Sequence, residues 1–405
     1  MVTVSFIGLG NRGSIYAKYF AQSTDATIVA ACDIDEPCVL RLNELYGVKK
    51  ENLFTDEEEF FKEKRSDVLV ISTLDDLHRR QTVRALSLGY DVLLEKPIAP
   101  NVADMQAIVV AAKKYQRQVV ICHNLRYTPF YQRIKMLIEE GVIGDVVNIE
   151  QSENVAYHHF MTSFIRGNWR NAEESSPIIL QKCCHDLDII YWLIGKKCTE
   201  LSSYGSLRFY IPENRPDYAT EKCSDCPKKD CAYNAVEFCK KYGSLPFDQE
   251  KTDENVIAYL NDDPQPKGKC VFACDNDVCD RQIVNMAFEG GVTANLIMHG
   301  FCAPRTDRIT KVYGTKGCLI GNLDSGKITL SAFGEETRTI DVNDEITDKS
   351  SHLGGDCKLV HDYIEYKNGK ERPLGVSLID DSVYSHKLAF AAEKSRLTGG
   401  KQVEV

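Results

Sequence analysis

The sequence lacks long apolar runs, and it lacks an excess of positive charge. No apolar stretch reaches the roughly 20 residues that a membrane-spanning helix needs. Acidic residues outnumber lysines and arginines by 59 to 49, which gives a net charge of −10. Neither nucleic acid nor an anionic membrane is therefore an expected partner, since both attract positive charge through their phosphates. A strand is predicted from Val2, which leaves no room for a signal peptide, so we expect a cytoplasmic protein.

A glycine-rich turn is the first feature that is present. An apolar strand is predicted at its start, then come Gly8, Gly10 and Gly13, and a helical pattern follows. In a dinucleotide-binding turn, the first glycine permits the tight turn and the second lets a pyrophosphate approach the backbone. The third lets the helix pack close to the strand, and the N–H groups that open the helix face the phosphates.

An acidic residue stands where such a turn needs one. Asp33 follows a second predicted strand, 20 positions after Gly13, and a carboxylate there accepts hydrogen bonds from the adenosine ribose. Because it would repel a 2′-phosphate, NAD is favoured over NADP. Asn11 and Arg12 are further candidates for cofactor contact, and Arg12 could reach either a 2′-phosphate or the pyrophosphate. The alternative is an ordinary glycine turn followed by a surface aspartate.

Strand and helix patterns alternate through residues 1–123, which we interpret as a dinucleotide-binding domain of the Rossmann type. The predicted elements are strands at 27–32, 66–72, 90–94 and 118–122, and helices at 36–46, 81–88 and 101–115. This alternation is typical of an α/β fold with a parallel sheet, which binds its cofactor at the carboxyl ends of the strands. Thr73, His78, Glu95 and Lys96 follow such ends and are predicted cofactor contacts.

The pattern changes after residue 123. The predicted strands are now alternating runs with turns between them, at 144–155, 282–288, 292–299, 308–313, 317–320, 327–333 and 337–342. Glu289-Gly290-Gly291 is a hairpin signal between two of them. We predict an α+β domain over 124–405 with an open, mainly antiparallel sheet, a last helix at 378–396 and a cysteine-rich insert at about 221–280.

Four motifs in order resemble one known family. They are GLGNRG, Asp33 after the second strand, Glu95-Lys96-Pro97, and His185-Asp186-Leu187-Asp188 before a Trp-Leu-x-Gly tail. Together they are similar to the Gfo/Idh/MocA oxidoreductases, which include glucose–fructose oxidoreductase and inositol dehydrogenase. The resemblance implies an N-terminal Rossmann domain and a C-terminal domain whose open sheet forms oligomer contacts, so we expect a homodimer or homotetramer.

Lys96 is the first candidate for acid/base chemistry. Oxidation of a secondary alcohol by hydride transfer needs a base within hydrogen-bond reach of the hydroxyl group. Lys96 follows a predicted strand at the cofactor edge, and Pro97 rigidifies the turn. Composition alone favours a solvated surface lysine, but the resemblance implies that this lysine is the active-site residue.

His185 is the second candidate, although the residues around it depart from the family pattern. Family members often carry an aspartate four positions before this histidine, where the present chain has Gln181. We expect Lys96 and His185 to share the acid/base work, with Lys182 or Gln181 holding substrate hydroxyls. The alternative for His185 is a buried or helix-capping histidine.

The stretch SFIRGNWRNAEESS at 163–176 is a candidate substrate loop. Arg166, Trp169 and Arg170 offer the guanidinium and aromatic groups that grip a polyhydroxylated ring, and a surface loop with a packed tryptophan is the alternative. Asp186 is a further predicted substrate contact, against the alternative of a helix N-terminal acid.

Cysteine is abundant, with 16 residues, and disulfides are not expected in a reducing compartment. Cys223, Cys226 and Cys231 lie within nine residues, and a fourth ligand could be Cys239, Cys270, Cys274 or Cys279. Four thiolates around Zn²⁺ would hold a loop too polar to fold alone. An iron–sulfur cluster and free thiols are the alternatives. A similar insert in one branch of the resembled family favours Cys270 as the fourth ligand.

These features predict NAD-dependent oxidation or reduction of a secondary hydroxyl on a sugar, glycoside or cyclitol, with Lys96 as acid/base. One alternative is an NAD-retaining enzyme that cleaves glycosides by transient oxidation and elimination. The other is a non-catalytic NAD-binding regulator.

Overall fold

Six parallel strands form the first sheet in the computed structural model of the chain. The strands are β1 (Val2–Ile7), β2 (Ala26–Cys32), β3 (Leu53–Phe54), β4 (Val68–Ile71), β5 (Asp91–Leu94) and β6 (Val119–Ile121). Their order in the sheet, β3-β2-β1-β4-β5-β6, is that of a Rossmann fold. The structure describes residues 1–243, 245, 249–303, 305–346, 348 and 352–405.

Helices cover both faces of this sheet. They are α1 (Asn11–Gln22), α2 (Glu36–Tyr46), α3 (Glu57–Phe60), α4 (His78–Ser87) and α5 (Val102–Tyr115). The prediction of a parallel α/β sheet is confirmed, and the helix predicted at 36–46 has the predicted bounds. Strands β1 and β4 are buried almost throughout, which explains their continuous apolar pattern.

Nine strands form the second sheet. They are β7 (Val146–Ala156), β8 (Cys198–Ser206), β9 (Arg281–Phe288), β10 (Thr293–Cys302), β11 (Asp307–Gly314), β12 (Gly317–Asn322), β13 (Lys327–Ala332), β14 (Arg338–Asp341) and β15 (Val403–Glu404). The order is β14-β13-β12-β11-β7-β10-β9-β8-β15. Only the β7–β10 pair is parallel among the described pairs, which confirms a mainly antiparallel sheet. The predicted hairpin joins β9 to β10.

One face of the second sheet is covered by helices, and the other bears exposed side chains. The helices of this part of the chain are α6 (Pro129–Glu139), α7 (Tyr157–Phe160), α8 (Ile178–Gln181), α9 (Cys184–Ile194), α10 (Ala235–Tyr242), α11 (Asp253–Asp262), α12 (Gly355–Lys367) and α13 (Ile379–Leu397). Leu187 of α9 and Leu388 of α13 share one core with Leu296 and Met298 of β10. The covered face therefore carries the core that positions α9 near the first sheet.

Helix α12 packs against the first sheet although it lies late in the chain. Its residues Leu359 and Tyr363 share a core with Val4 and Phe6 of β1, and the Tyr363 ring contacts that of Phe20 edge to face. The two parts of the chain are thus joined by more than one connection, and the boundary at residue 123 stays a prediction.

The cysteine-rich segment between β8 and β9 has a small core of its own. Helices α10 and α11 supply Val236, Val256 and Leu260 to it. A bridge between Lys222 and Lys269 closes the base of the segment. Among the described residues of the whole chain, we find no helix with the length and apolarity that crossing a membrane would require.

Candidate active site

A cleft of about 660 Å³ lies where the two halves of the chain meet. One wall is formed by the carboxyl ends of β1, β2, β4 and β5, and the other by residues of α8, α9, β11 and the turn after α7. The carboxyl ends of parallel strands are where this fold binds its ligands. The site therefore lies at the predicted edge of the first sheet.

The three glycines of the turn have different surroundings, and these match their predicted roles. Gly8 has a φ of +85° and lies so close to Ser72 that a methyl group would be 2.8 Å from its carbonyl. A methyl group at Gly13 would lie 2.0 Å from the carbonyl oxygen of Gly8. At Gly10 a methyl group would meet no protein atom within 4 Å. Since α1 begins at Asn11 without a side-chain cap, its first N–H groups are suited to bind a phosphate.

Asp33 closes the glycine turn from the second strand. Its carboxylate accepts a hydrogen bond from the backbone N–H of Leu9 at 2.5 Å and one from that of Asp35 at 2.9 Å. The side chain lines the cleft, as do Asn11 and Thr73. These three predicted cofactor residues are brought together with the turn, so the residues present fit a dinucleotide.

Arg12 lines the cleft, but its guanidinium group is engaged by two carboxylates. Its Nε donates to Glu95 at 2.9 Å, and its Nη2 donates to Asp356 at 2.5 Å. Burial raises the pKa of Asp356, but the hydrogen bond from His352 and the charge of Arg12 hold it well below its usual range. Arg12 thus joins α1 to β5 and α12, and its predicted contact with the cofactor remains a prediction.

Lys96 reaches into the cleft directly after β5. Its backbone N–H donates to Glu95 at 2.9 Å, and its Nζ donates to the carbonyl oxygen of Gln181 at 3.1 Å. The Gln181 side chain donates in turn to Asp75 at 3.1 Å. Lys96 and Gln181, predicted to act in one site, therefore touch across the cleft.

His185 lines the same cleft and is almost fully buried. Its Nδ1 has no hydrogen-bond partner among the described residues, and its ring lies 5.9 Å from that of His123. Burial and then the charge of Lys96 lower the pKa of His185 well below its usual value, so the imidazole is neutral. Asp188, three residues on, binds Arg126 with two hydrogen bonds of 2.6 Å.

Lys182 and Arg308 line the cleft and are paired with carboxylates that lie behind its wall. Lys182 Nζ lies 3.2 Å from Glu153 Oε1 and 3.5 Å from His159 Nε2. Arg308 Nη2 lies 2.6 Å from the second oxygen of Glu153, and Arg308 Nε donates to Asp186 at 2.9 Å. Sequence reasoning missed Glu153 and Arg308, because β7 and β11 meet α9 only through long-range packing.

Four predicted site residues are not brought to the cleft. His78 is buried beneath it, and its Nδ1 bonds to the carbonyl of Pro97 at 2.8 Å. Arg166 donates to the carbonyls of Lys269 and Tyr233 in the insert. The other two are likewise held away from it, Arg170 by Asp275 and Asp186 by Arg308. These four side chains hold the fold together instead, whereas Trp169 does line the cleft.

The predicted zinc ligands are not gathered into a cluster. Among the described residues, which include Cys223, Cys226, Cys231 and Cys270, no three cysteine sulfurs lie within 4.8 Å of one another. Cys223 instead accepts a hydrogen bond from Arg166 at 3.4 Å. A tetrahedral Zn²⁺ site needs its thiolates gathered around one point, so this arrangement of the described residues does not fit a Zn²⁺ site.

Comparison with known proteins adds to this geometry. The profile of the oxidoreductase family with an NAD-binding Rossmann fold, GFO_IDH_MocA, matches residues 2–123, and that of the family's C-terminal alpha/beta domain matches residues 135–405. This chain is a Gfo/Idh/MocA oxidoreductase. The resemblance drawn from the motifs is thereby confirmed, and so is the NAD-binding character of the first sheet.

The relatives agree with this family. The chain is 25% identical to the oxidoreductase YteT of Bacillus subtilis over 387 residues, which cover 89% of this chain and 88% of YteT. It is also 25% identical to inositol 2-dehydrogenase of Salmonella typhimurium over 209 residues, 51% of this chain. That match spans 56%, little more than half, of the dehydrogenase.

Solved structures show the same fold. An Agrobacterium radiobacter oxidoreductase in complex with NAD⁺, L-tartaric acid and magnesium has a TM-score of 0.71 at 16% identity, over 100% of this chain and 98% of that one. The dehydrogenase WlbA of Chromobacterium violaceum, in complex with NADH and UDP-GlcNAcA, has a TM-score of 0.69 at 17% identity over 100% and 96%. At these identities the likeness concerns the fold alone.

Proposed function

We propose that this oxidoreductase interconverts a secondary hydroxyl group and a ketone on a sugar, glycoside or cyclitol, with NAD as its cofactor. One observation carries the proposal: Lys96 and His185 line the same cleft as the open glycine turn. A regulator that only bound NAD would not need an acid/base pair there. The relatives that are named inositol 2-dehydrogenase support a polyhydroxylated substrate.

Bound NAD supplies a hydride acceptor at C4 of its nicotinamide ring. Lys96 takes the proton of the substrate hydroxyl, and returns it in the reverse direction. It accepts this proton as the neutral amine; its Nζ is positioned by a hydrogen bond to the carbonyl of Gln181, while Glu95 holds its backbone. His185 is neutral and has a free Nδ1 among the described residues, so it can share the proton at the same oxygen.

The remaining cleft residues bind the substrate. Trp169 offers an aromatic face, and Lys182 and Gln181 offer hydrogen-bond donors beside His185. We place Lys182 in this binding role rather than in the proton transfer, because its ammonium group is held by Glu153. On the cofactor side, Asp33 is suited to the ribose diol of NAD and would repel the 2′-phosphate of NADP.

Oligomerisation is a further part of the proposal. The uncovered face of the second sheet exposes Tyr204, Ile283, Ile297 and Ile320 from four different strands. An apolar face of this kind is suited to a second copy of the chain. We therefore propose that the chain forms a homodimer or homotetramer. We also propose that it acts in the cytoplasm. Native mass spectrometry reports the subunit number, and it would also reveal a bound zinc ion, a prediction that the geometry of the cysteines does not favour.

The experiment that tests the proposed function replaces Lys96 with methionine. We expect turnover on a panel of sugars and inositols to fall by about 10² to 10⁴, the usual contribution of a positioned acid/base group. The affinity for NAD, measured by calorimetry, should change little. Lys113→Met on the exposed side of α5 is the matched control and should leave both quantities unchanged. Turnover of Lys96→Met within a few-fold of the wild type would remove Lys96 from the reaction.

The same panel distinguishes the glycoside-cleaving alternative. A dehydrogenase produces one NADH for each substrate oxidised, whereas cleavage by transient oxidation releases product without net NADH. Following NADH absorbance together with sugar release therefore separates the two reactions.

A further inference from the structure

We propose that the cleft selects a substrate that carries a carboxylate, such as a uronic or aldonic acid, and that Lys182 and Arg308 bind this group. The inference rests on the proposed function and names the class of its substrate. It is drawn from the distribution of charge over the two walls of the cleft.

The two walls differ in charge. On the wall formed by the first 123 residues, the cleft is lined by four carboxylates and three cations, which are Asp33, Glu57, Asp75 and Glu95 and Arg12, Arg80 and Lys96. On the opposite wall, no aspartate or glutamate lines the cleft among the described residues, while Lys182 and Arg308 do. A substrate that lies on this second wall therefore meets cations.

The two cations converge on one point. Lys182 and Arg308 each contact one oxygen of the same carboxylate, that of Glu153, at 3.2 and 2.6 Å. Their head groups therefore lie close enough together for one further carboxylate on the cleft side to reach both of them. Arginine and lysine are the residues that bind carboxylates with charge-assisted hydrogen bonds.

Both side chains keep donors available for a ligand. The ammonium of Lys182 has three N–H groups, and the described residues use two of them, through Glu153 and His159. The guanidinium of Arg308 uses Nε and Nη2 for Asp186 and Glu153, and its Nη1 has no partner among the described residues. Burial and then the charge of Lys182 lower the pKa of His159 to about 3, so this imidazole is neutral and adds no further positive charge beside Lys182.

The carboxylates that balance the two cations lie behind them. Glu153 and Asp186 are completely buried, so neither presents its charge to the cleft. Burial raises the pKa of Glu153 despite the charges of Arg308 and Lys182, so this carboxylate is protonated more readily than one in solvent. An anionic group of the substrate would complete the pairing of both cations from the open side.

The test compares acids with their neutral parents in the presence of NAD: glucuronate with glucose, and galacturonate with galactose. We expect kcat/KM for the acid to exceed that for the parent at least tenfold. Lys182→Met should reduce this ratio at least tenfold, mainly through KM. Glu153→Gln should raise it, because the competing negative charge is removed. Lys311→Met, on the opposite face of β11 from Arg308, is the matched control.

Binding measured by calorimetry makes each outcome decisive. Equal kcat/KM for acid and parent, or an equal loss on both in Lys182→Met, would overturn the inference and leave the oxidoreductase proposal intact. The inference is supported if an acid binds more tightly than its parent and loses this advantage in Lys182→Met. If that acid binds in this way but is not oxidised, the inference stands and the proposed reaction fails. Binding of neither acid overturns the inference.

Discussion

Alanine at Gly13 should lower the stability of the fold, whereas alanine at Gly10 should weaken NAD binding, although the two residues lie in the same turn. At Gly13 the new methyl group would lie 2.0 Å from the backbone oxygen of Gly8 and 2.7 Å from Ser72 Oγ. A backbone carbonyl cannot move aside easily, so we expect the cost of overpacking, about 1–3 kcal/mol. Scaled to a chain of 405 residues, this corresponds to a fall in Tm of about 1–4 °C.

At Gly10 the folded protein offers open space, since no atom lies within 4 Å of the added methyl group. Alanine is a poorer N-cap than glycine, which destabilises the helix. It also reduces the conformational entropy of the unfolded chain, which stabilises the fold by about 0.4–1 kcal/mol, so the two effects nearly cancel. The Tm should therefore stay within about 1 °C of the wild type. A pyrophosphate that passes close to this backbone would collide with the methyl group, and we expect Kd for NAD to rise at least tenfold, about 1.4 kcal/mol.

The two variants are measured side by side by thermal denaturation without cofactor and by calorimetric titration with NAD. Undiminished NAD affinity in Gly10→Ala would show that the dinucleotide does not pass over this turn, and the proposed function would lose its basis. An unchanged Tm in Gly13→Ala would contradict the close contact between α1 and the first turn.

Three further predictions concern other parts of the molecule. Asp33→Ser should raise the ratio of NADP to NAD affinity at least tenfold, because the carboxylate no longer repels a 2′-phosphate; an unchanged ratio in titrations would contradict its assigned role. Burial and then the charge of His123 lower the pKa of His386 to about 3, so folding excludes a proton that the unfolded chain binds below about 6.5, and stability is lost as the pH falls through this window. His386→Asn removes this proton uptake, so the free energy of unfolding should fall less steeply between pH 7 and pH 5, by up to about 1.4 kcal/mol per pH unit. Tm measured across this range checks the prediction. Arg166→Met should leave the carbonyls of Lys269 and Tyr233 without their donor, so hydrogen exchange in the insert should accelerate while NAD affinity stays the same.

Local patterns were sufficient to predict the first sheet and the cofactor wall of the site. The apolar strands β1 and β4 are buried on both faces, which makes each readable from its own residues. The places of the glycines and Asp33 could be predicted for the same reason, since each depends on the backbone of one turn. Strand β8 and helix α12 were missed, because their burial depends on partners far away in the chain.

The substrate wall was harder to predict, because it is formed by contacts of high sequence separation. Arg166 and Arg170 lie beside Trp169 in sequence, yet only Trp169 lines the cleft, whereas both arginines hold the insert. Composition cannot show whether an arginine binds a ligand or a carbonyl of its own chain. Arg308 reaches the cleft from a strand whose alternation predicts only that the residue lies on one face.

The position of Arg12 shows how the cofactor turn and the acid/base residue are connected. A guanidinium group between two glycines suggests a phosphate ligand, but here Glu95 and Asp356 bind it. Glu95 also accepts hydrogen bonds from the hydroxyl group of Tyr16 and from the backbone N–H of Lys96. Burial raises the pKa of Glu95, yet the charges of Arg12 and Lys96 outweigh it and keep the carboxylate ionised. Since one buried carboxylate is bound by α1 on one side and by the Lys96 backbone on the other, a shift of α1 would displace the lysine as well. The geometry between the cofactor turn and the proposed base is therefore held by an internal ion pair, and this explains why Arg12 is turned toward its own chain.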